Sequence, residues 1–545
     1  MFDEWMRCAS HCRRRRIVAT TSPSVLNASM KGRSMTNLVG HIWRHADESP
    51  DRPGLRDGDR SWTFGQMRSR ITTIATDLRE RGVAIDDRVL MVLPTSAEFV
   101  FIYHALLSLG ATPVTVNPLC APREIEYFIE DAGCSLAISW DESTDAVATA
   151  TTGRDLPLWV VSSGEFDALP DDVPPDDLVD VDPDHAAVLL YTSGTTGKPK
   201  GAVLTHRNLI FTGDVISRVL ETGPQDVMGT ALPLFHVFGQ GSVMASVYTA
   251  GSCFSVIRPF DPVKVLDTVA EHRLTGLSGV PTMWMAMLHA ETDRRPEEFA
   301  QLRVASSGGA AMPVEVAKAF KARFGATILD GYGLSETTGG GTVNLPEGLR
   351  KEGSVGQALP GTKIAILDPL GKQLPVGEVG EVALSGPMVM REYWNRPDAT
   401  AAARSGEWFL SGDLGRVDDD GHVYIVDRKK DLVIRGGYNV YPREVEEVLY
   451  SHPAIRQAAV VGVPDERLGE EVAAVYAVVD GASLEPGELR AWLADKLAAY
   501  KIPRLYQEVQ ALPTGATGKI LKRGIDRNSL LTSGTRTSRQ TTPTG

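Results

Sequence analysis

The chain has 545 residues, 43% of them hydrophobic, with 56 Lys and Arg against 69 Asp and Glu for a net charge of −13. That length exceeds one ordinary domain, so at least two are expected. The acidic balance excludes a general nucleic-acid binder and leaves any anion site to local basic clusters.

In chain order, residues 1–35 stand apart. Arginines fill positions 13–16, and no acidic residue occurs between Glu4 and Asp47. No apolar run follows the arginines, which excludes a secretory signal; a transit-type leader and a disordered extension ahead of a start at Met30 or Met35 both fit, and the second is preferred. The five cysteines, Cys8, Cys12, Cys120, Cys134 and Cys253, are too scattered for a disulfide framework, so a reducing, cytoplasmic location is expected. No run approaches the roughly 18 apolar residues that span a bilayer.

From about Thr36 the pattern alternates strands and helices: a strand over 88–93, a helix over 96–109, a strand over 112–116. This rhythm predicts an α/β fold, with parallel-type sheets, helices on their faces and ligand loops at the strand C-termini. After the apolar stretch 186–190 comes Tyr191-Thr192-Ser193-Gly194-Thr195-Thr196-Gly197-Lys198-Pro199-Lys200-Gly201. Its glycines can turn backbone N–H groups to one point, its hydroxyls add neutral donors and its lysines add charge, which makes a phosphate cradle. It is not the common Gly-x4-Gly-Lys-Ser/Thr loop, because Pro199 follows Lys198.

Further along, Leu232-Pro233-Leu234-Phe235-His236-Val237-Phe238-Gly239 sets one histidine among apolar residues, which by itself reads as a core position. The stretch 280–288 carries Met283, Trp284, Met285 and Met287, an adaptable apolar wall. Short segments at 277–279, 303–306 and 327–329 run into Gly- or Pro-containing turns. The third of these leads to Asp330-Gly331-Tyr332-Gly333-Leu334-Ser335-Glu336-Thr337, and Ser306-Ser307-Gly308-Gly309-Ala310 precedes it. The glycines admit a flat base, Tyr332 can stack on it, and Glu336 offers a carboxylate for Mg²⁺ beside a triphosphate. Ser411-Gly412-Asp413 presents a carboxylate suited to sugar hydroxyls.

The cluster Arg428-Lys429-Lys430-Asp431 reads as a hinge or as a solvated surface turn, and the composition changes there from a large domain, 36–427, to a small α+β domain, 432–526. The small domain has a helix opening at Pro442, strands over 458–463 and 472–479, and a helix with Leu489, Trp492, Leu493 and Leu497 on one face. Near its end Leu512-Pro513-Thr514-Gly515-Ala516-Thr517-Gly518-Lys519 displays a lysine on a loop, and the Ser/Thr-rich tail 527–545 is predicted to be disordered.

Taken in order, the phosphate loop, His motif, Gly-rich base site, carboxylate, ribose-type Asp, hinge and lysine resemble the adenylate-forming superfamily, specifically its acyl-CoA synthetases, over about 36–526. The resemblance implies a large N-terminal domain and a small mobile C-terminal one, with ATP, Mg²⁺ and coenzyme A as cofactor and co-substrates. By it, residues 192–200 would hold the phosphates, Glu336 with Thr196 or Thr337 would serve Mg²⁺, and Asp413 with Arg428 would bind ribose. Gly308, Gly309, Ala310, Asp330, Gly331, Tyr332 and Gly333 would frame adenine, with Lys430 at the hinge position. Lys519 would bridge the substrate carboxylate and the α-phosphate, with His236 and Glu336 as its catalytic companions. After rotation, Arg435, Gly436, Gly437 and Tyr438 would face the pantetheine arm. His236, Val237, Gly239, Met283 and Trp284 would line the acyl pocket. One departure is Pro513-Thr514-Gly515, where the family carries Pro-Lys/Arg-Thr.

The expected reaction is ATP-dependent activation of a carboxylic acid to acyl-AMP, then transfer to coenzyme A. Phe235-His236-Val237-Phe238-Gly239-Gln240 lacks the Asp that pairs with an amino acid's ammonium, so a free acid is favoured. By similarity in this motif and in Arg258-Pro259-Phe260-Asp261, medium- or long-chain fatty acids come first and aryl or cinnamoyl acids second. An acyl-AMP ligase loading a carrier protein is the enzymatic alternative, and a nucleotide-binding regulator that lost turnover is the non-enzymatic one. Partners are small molecules, with no nucleic acid and no transmembrane segment, and the oligomeric state stays open, a homodimer included.

Overall fold

The computed structural model describes residues 36–192, 198–515 and 518–537; residues 1–35, read above as a leader, lie outside them. Two large sheets dominate. One has nine strands, of which Ile328–Tyr332, Val304–Ser307, Gly276–Gly279, Val227–Thr230, Cys253–Val256 and Pro53–Asp57 run parallel side by side. The other has seven, with Ala186–Thr192, Thr112–Thr115, Arg88–Val92, Leu136–Trp140 and Leu158–Val161 parallel. Their connecting helices begin at side-chain caps written into the sequence. Thr63, Ser96 and Thr205 each accept a backbone N–H from the first turn of the helix that follows.

Helix Ala97–Ser108 is mostly apolar and every residue in it is buried, as a helix inside the main core must be, with its Glu98 paired to Arg60 at 2.7 Å. Its cap, Ser96, is itself fully buried, so the hydroxyl that starts the helix also satisfies an N–H with no access to water.

Two elements escaped the sequence reading. A five-stranded antiparallel sheet contains Gly380–Ser385, Trp408–Val417 and Val423–Arg428, and its last strand ends where the charge cluster begins. The tail expected to be disordered from 527 is instead ordered to 537. Helix Arg527–Ser533 buries Leu530 against Val461, Leu505 and Leu512, and Thr535–Arg536 pairs with Leu505–Glu508. One cluster of apolar contacts outweighs the polar composition around it.

Beyond the charge cluster a six-stranded sheet centres on the long hairpin Ile455–Asp465 and Gly469–Val478, with helices Pro442–Tyr450 and Pro486–Ala494 packed on it. No described helix is long and apolar enough to cross a membrane. Cys120, Cys134 and Cys253 are all unpaired.

Candidate active site

The site gathers at the C-terminal ends of the parallel strands, where α/β sheets leave loops free to bind ligands. Strands Ala186–Thr192 and Lys200–Thr205 pair antiparallel with Thr192 opposite Lys200, which sets the two flanks of the phosphate segment side by side. Ser193, Gly194, Thr195, Thr196 and Gly197 lie outside the described residues. The flanks are well held: Tyr191 donates to Asp131 (2.8 Å) and Tyr127 donates to the Pro199 carbonyl (2.7 Å). Lys198 and Lys200 lie over the rings of Tyr127 and Tyr393, at 5.8 and 5.2 Å from their centroids.

Glu336 sits in a short 3-10 turn, Ser335–Thr337, and accepts the Tyr393 hydroxyl at 2.7 Å and Thr192 Oγ1 at 3.4 Å. Tyr393 lies 57 residues away and had no sequence signal of its own. No group of three or more His, Cys, Asp or Glu side chains converges among the described residues. A single hard carboxylate beside a phosphate loop fits Mg²⁺, which binds through one or two carboxylates plus substrate phosphates. Thr337, expected to help, is fully buried; its hydroxyl accepts the Leu334 N–H and donates to the Leu334 carbonyl, so it shapes the turn instead.

Asp413 and Arg428 stand directly opposite each other on strands Trp408–Val417 and Val423–Arg428, with Arg428 Nε 3.3 Å from Asp413 Oδ1. Tyr332 donates to Asp413 Oδ2 at 2.7 Å, which fixes the ring expected beside the base. Burial pushes the Asp413 carboxyl up, and the Arg428 charge opposes this. Gly331 continues the strand that carries Tyr332, and Gly333 follows it in a turn packed against Gly339.

Lys519 arrives from the small C-terminal sheet's side of the charge cluster. A Cβ on Gly309 would lie 2.7 Å from Lys519 Cε and 3.1 Å from its Nζ, so the glycine leaves the space that the lysine occupies. Gly309 also has φ of +80°, in the left-handed region where glycine alone is unstrained. The preceding Gly518 accepts a hydrogen bond from Thr282 Oγ1 at 2.6 Å through its carbonyl, a tether across 236 residues that the sequence did not reveal. Burial, then the Arg428 charge, lower the Lys519 pKa to about 8, against a raising effect of Asp413.

His236 accepts the Phe238 N–H at Nδ1 (3.3 Å), and burial with the Lys519 charge lowers its pKa to about 3. It is therefore a neutral imidazole. Gly239 lies within 2.5 Å of the Pro233 carbonyl for any added Cβ, and Gly308 would meet the Phe238 ring at 3.3 Å. Val237 and Met283 join the main core cluster. Trp284, expected on the pocket wall, is fully buried with its ring edge-on to Phe320 in a separate core cluster, because its helix Pro281–His289 turns that side toward helix Val314–Phe324. Ala310 is exposed at the rim.

A second correction concerns Arg435, expected to face the pantetheine arm. Its side chain is buried, paired with Glu471 (2.6 Å) and donating to the Tyr500 carbonyl (2.7 Å). It holds the turn rather than displaying itself: Gly436 and Gly437 both have positive φ, and the exposed Tyr438 stacks on Tyr500 at 4.8 Å. Lys430, in the charge cluster, is exposed.

Comparison with known proteins agrees with this geometry. The AMP-binding enzyme model matches residues 42–394 and the AMP-binding enzyme C-terminal domain model matches 444–519. A feruloyl-CoA synthase of Amycolatopsis sp. is 38% identical over 89% of this chain and 97% of its own. A long-chain-fatty-acid–CoA ligase of Bacillus subtilis (strain 168) is 34% identical over 87% and 91%. The crystal structure of ATP-bound MatB from Rhodopseudomonas palustris superimposes with a TM-score of 0.83 at 31% identity, covering 90% of this chain and 97% of that one. The chain belongs to the AMP-binding enzyme family, within the adenylate-forming superfamily of acid–CoA ligases.

Proposed function

We propose that the protein joins an apolar carboxylic acid to coenzyme A at the expense of ATP, with an aryl acid of the hydroxycinnamate type as first substrate class. The observation that carries the reaction is the approach of Lys519 to Gly309, where the charges of Arg428 and Asp413 both act on it. An ammonium there can bridge two anions that would otherwise repel, the acid's carboxylate and the α-phosphate. The carboxylate oxygen attacks the α-phosphorus, the bond to pyrophosphate breaks, and acyl-AMP forms. The coenzyme A sulfur then attacks the acyl carbon, AMP leaves, and the thiol proton passes to solvent. Asp413 and Arg428 would hold the ribose, Tyr332 and Gly308–Ala310 the base, and Gly436 and Gly437 the passage of the thiol arm. Glu336 would hold Mg²⁺, which when bound neutralises triphosphate charge.

Support for an aryl acid comes from the 38% identity to the feruloyl-CoA synthase and from the flat Phe238 ring lying against Gly308. The fatty-acid reading keeps its own support in the 34% identity to the Bacillus subtilis ligase. The unpaired cysteines are in keeping with action in the reducing cytoplasm. The test is AMP release with ATP and Mg²⁺ across ferulate, cinnamate, benzoate, dodecanoate and palmitate, each with and without coenzyme A. Release that needs both an acid and coenzyme A supports the ligase, and the best acid names the pocket. A single turnover with acid that coenzyme A cannot extend points to a carrier-protein acceptor. No release with any acid refutes the proposal.

A further inference from the structure

We propose that Arg443 is a positioning residue for adenylation: it clasps the small C-terminal unit in the pose that delivers Lys519. The inference rests on the two-step reading above, in which that unit must later move away.

Arg443 is the second residue of helix Pro442–Tyr450, the first helix after the charge cluster 428–431. Its backbone N–H donates to Asp427 Oδ2 at 2.9 Å, and its guanidinium Nη1 donates to the Ile425 carbonyl. Both acceptors belong to strand Val423–Arg428, on the other side of the cluster. The side chain therefore reaches back across the segment about which rotation would occur. Glu447, one turn further along the same helix and 3.9 Å from Arg443 Nε, steadies it.

The guanidinium charge also acts on a buried carboxyl of the large unit. Asp330, at the strand position leading into Gly331 and Tyr332, has a shielded Oδ1 with no hydrogen-bond partner among the described residues. Burial raises its carboxyl to about 7; the Arg443 charge and the N–H groups of Met312 and Gly331 oppose this, and Glu447 adds to it. Leaving a buried carboxylate without its cation is costly, so the charges favour the pose in which Arg443 is present. Nearby, Lys522 is 2.8 Å from Glu446; burial raises the Asp427 carboxyl, and the Lys522 charge opposes this from the moving side. Rotation would surrender the Ile425 bond and the Asp330 attraction together. The contact is thus specific to the adenylation pose, and its charge is felt by Asp330 on the strand that leads to Tyr332.

The test separates the half-reactions, using ferulate or dodecanoate, whichever supports AMP release, and its synthetic acyl-adenylate. Arg443→Met should lower acid-dependent ATP–pyrophosphate exchange by roughly 10- to 100-fold, the scale of a lost charged hydrogen bond. Thioester formation from supplied acyl-adenylate and coenzyme A should stay within twofold of wild type, which also reports an intact fold. Arg443→Lys, which keeps a charge facing Asp330, should recover part of the exchange. Equal losses in both steps, undiminished exchange, or no recovery with lysine would overturn the clasp. A wild-type protein lacking both half-reactions would overturn the proposed function, and the clasp with it.

Discussion

Gly309→Ala is the substitution whose consequence the site geometry fixes most closely. The new Cβ would stand 2.7 Å from Lys519 Cε and 3.1 Å from Nζ, against an ordinary carbon contact of about 3.5–4.0 Å. The lysine tip must retreat by about 1 Å, which it can do because it is the flexible end of a side chain. A displacement of that size at a reacting centre costs on the order of 100-fold in rate. The backbone cost is separate: φ of +80° in a non-glycine residue carries about 1–2 kcal/mol, a shift of a few degrees in Tm that leaves the fold intact. In the thioester step the proposed rotation would withdraw the lysine, and the other neighbour of the added methyl, Val280 Cγ1, is at an ordinary 3.6 Å. ATP–pyrophosphate exchange should therefore fall about 100-fold while coenzyme A transfer from supplied acyl-adenylate hardly changes. Exchange within twofold of wild type, or equal loss in both assays, would refute the reasoning.

Because burial and Arg428 lower the Lys519 pKa to about 8, the charged form exists below that value, and kcat/KM for adenylation should fall as pH rises through about 8. Lys519→Arg should remove that limb, and a flat profile from pH 6.5 to 10 would show that the ammonium is not needed. His236, with its pKa near 3, should contribute no acidic limb above pH 4, so a limb near 6.5 abolished by His236→Ala would contradict its neutral assignment. Tyr393→Phe removes the 2.7 Å donor to Glu336, worth about 1.5–3 kcal/mol, and should raise the KM for Mg-ATP tenfold or more with kcat little altered; titration at fixed free Mg²⁺ checks this. Leu530→Ala opens the cluster beneath the lysine loop at a cost of about 2–5 kcal/mol, which limited proteolysis should register as faster cleavage beyond the hinge; unchanged cleavage would mean that the tail helix is dispensable.

The local rules of the chain were legible in its sequence, because strand and helix periods and hydroxyl caps act within a few residues. Strands Arg88–Val92 and Thr112–Thr115 and helix Ala97–Ser108 lie where alternation and Ser96 put them. The glycine-rich segments, Glu336, Asp413 and Lys519 could be singled out because their order along the chain resembles that of the adenylate-forming superfamily. What each side chain touches was not visible in that way. Arg435 carries the same charge whether it meets coenzyme A or Glu471, and only the register of Val433–Arg435 beside Gly469–Val478 buries it against the latter. Trp284 and Leu530 are apolar anywhere, and the packing of helix Pro281–His289 and of helix Arg527–Ser533 decided that both belong to cores. Tyr393 with Glu336 and Thr282 with Gly518 meet across 57 and 236 residues, separations over which no local pattern carries information. Tertiary structure decided those partners because burial and hydrogen bonding reward whichever groups the folded chain brings within a few ångströms, whatever their distance in sequence.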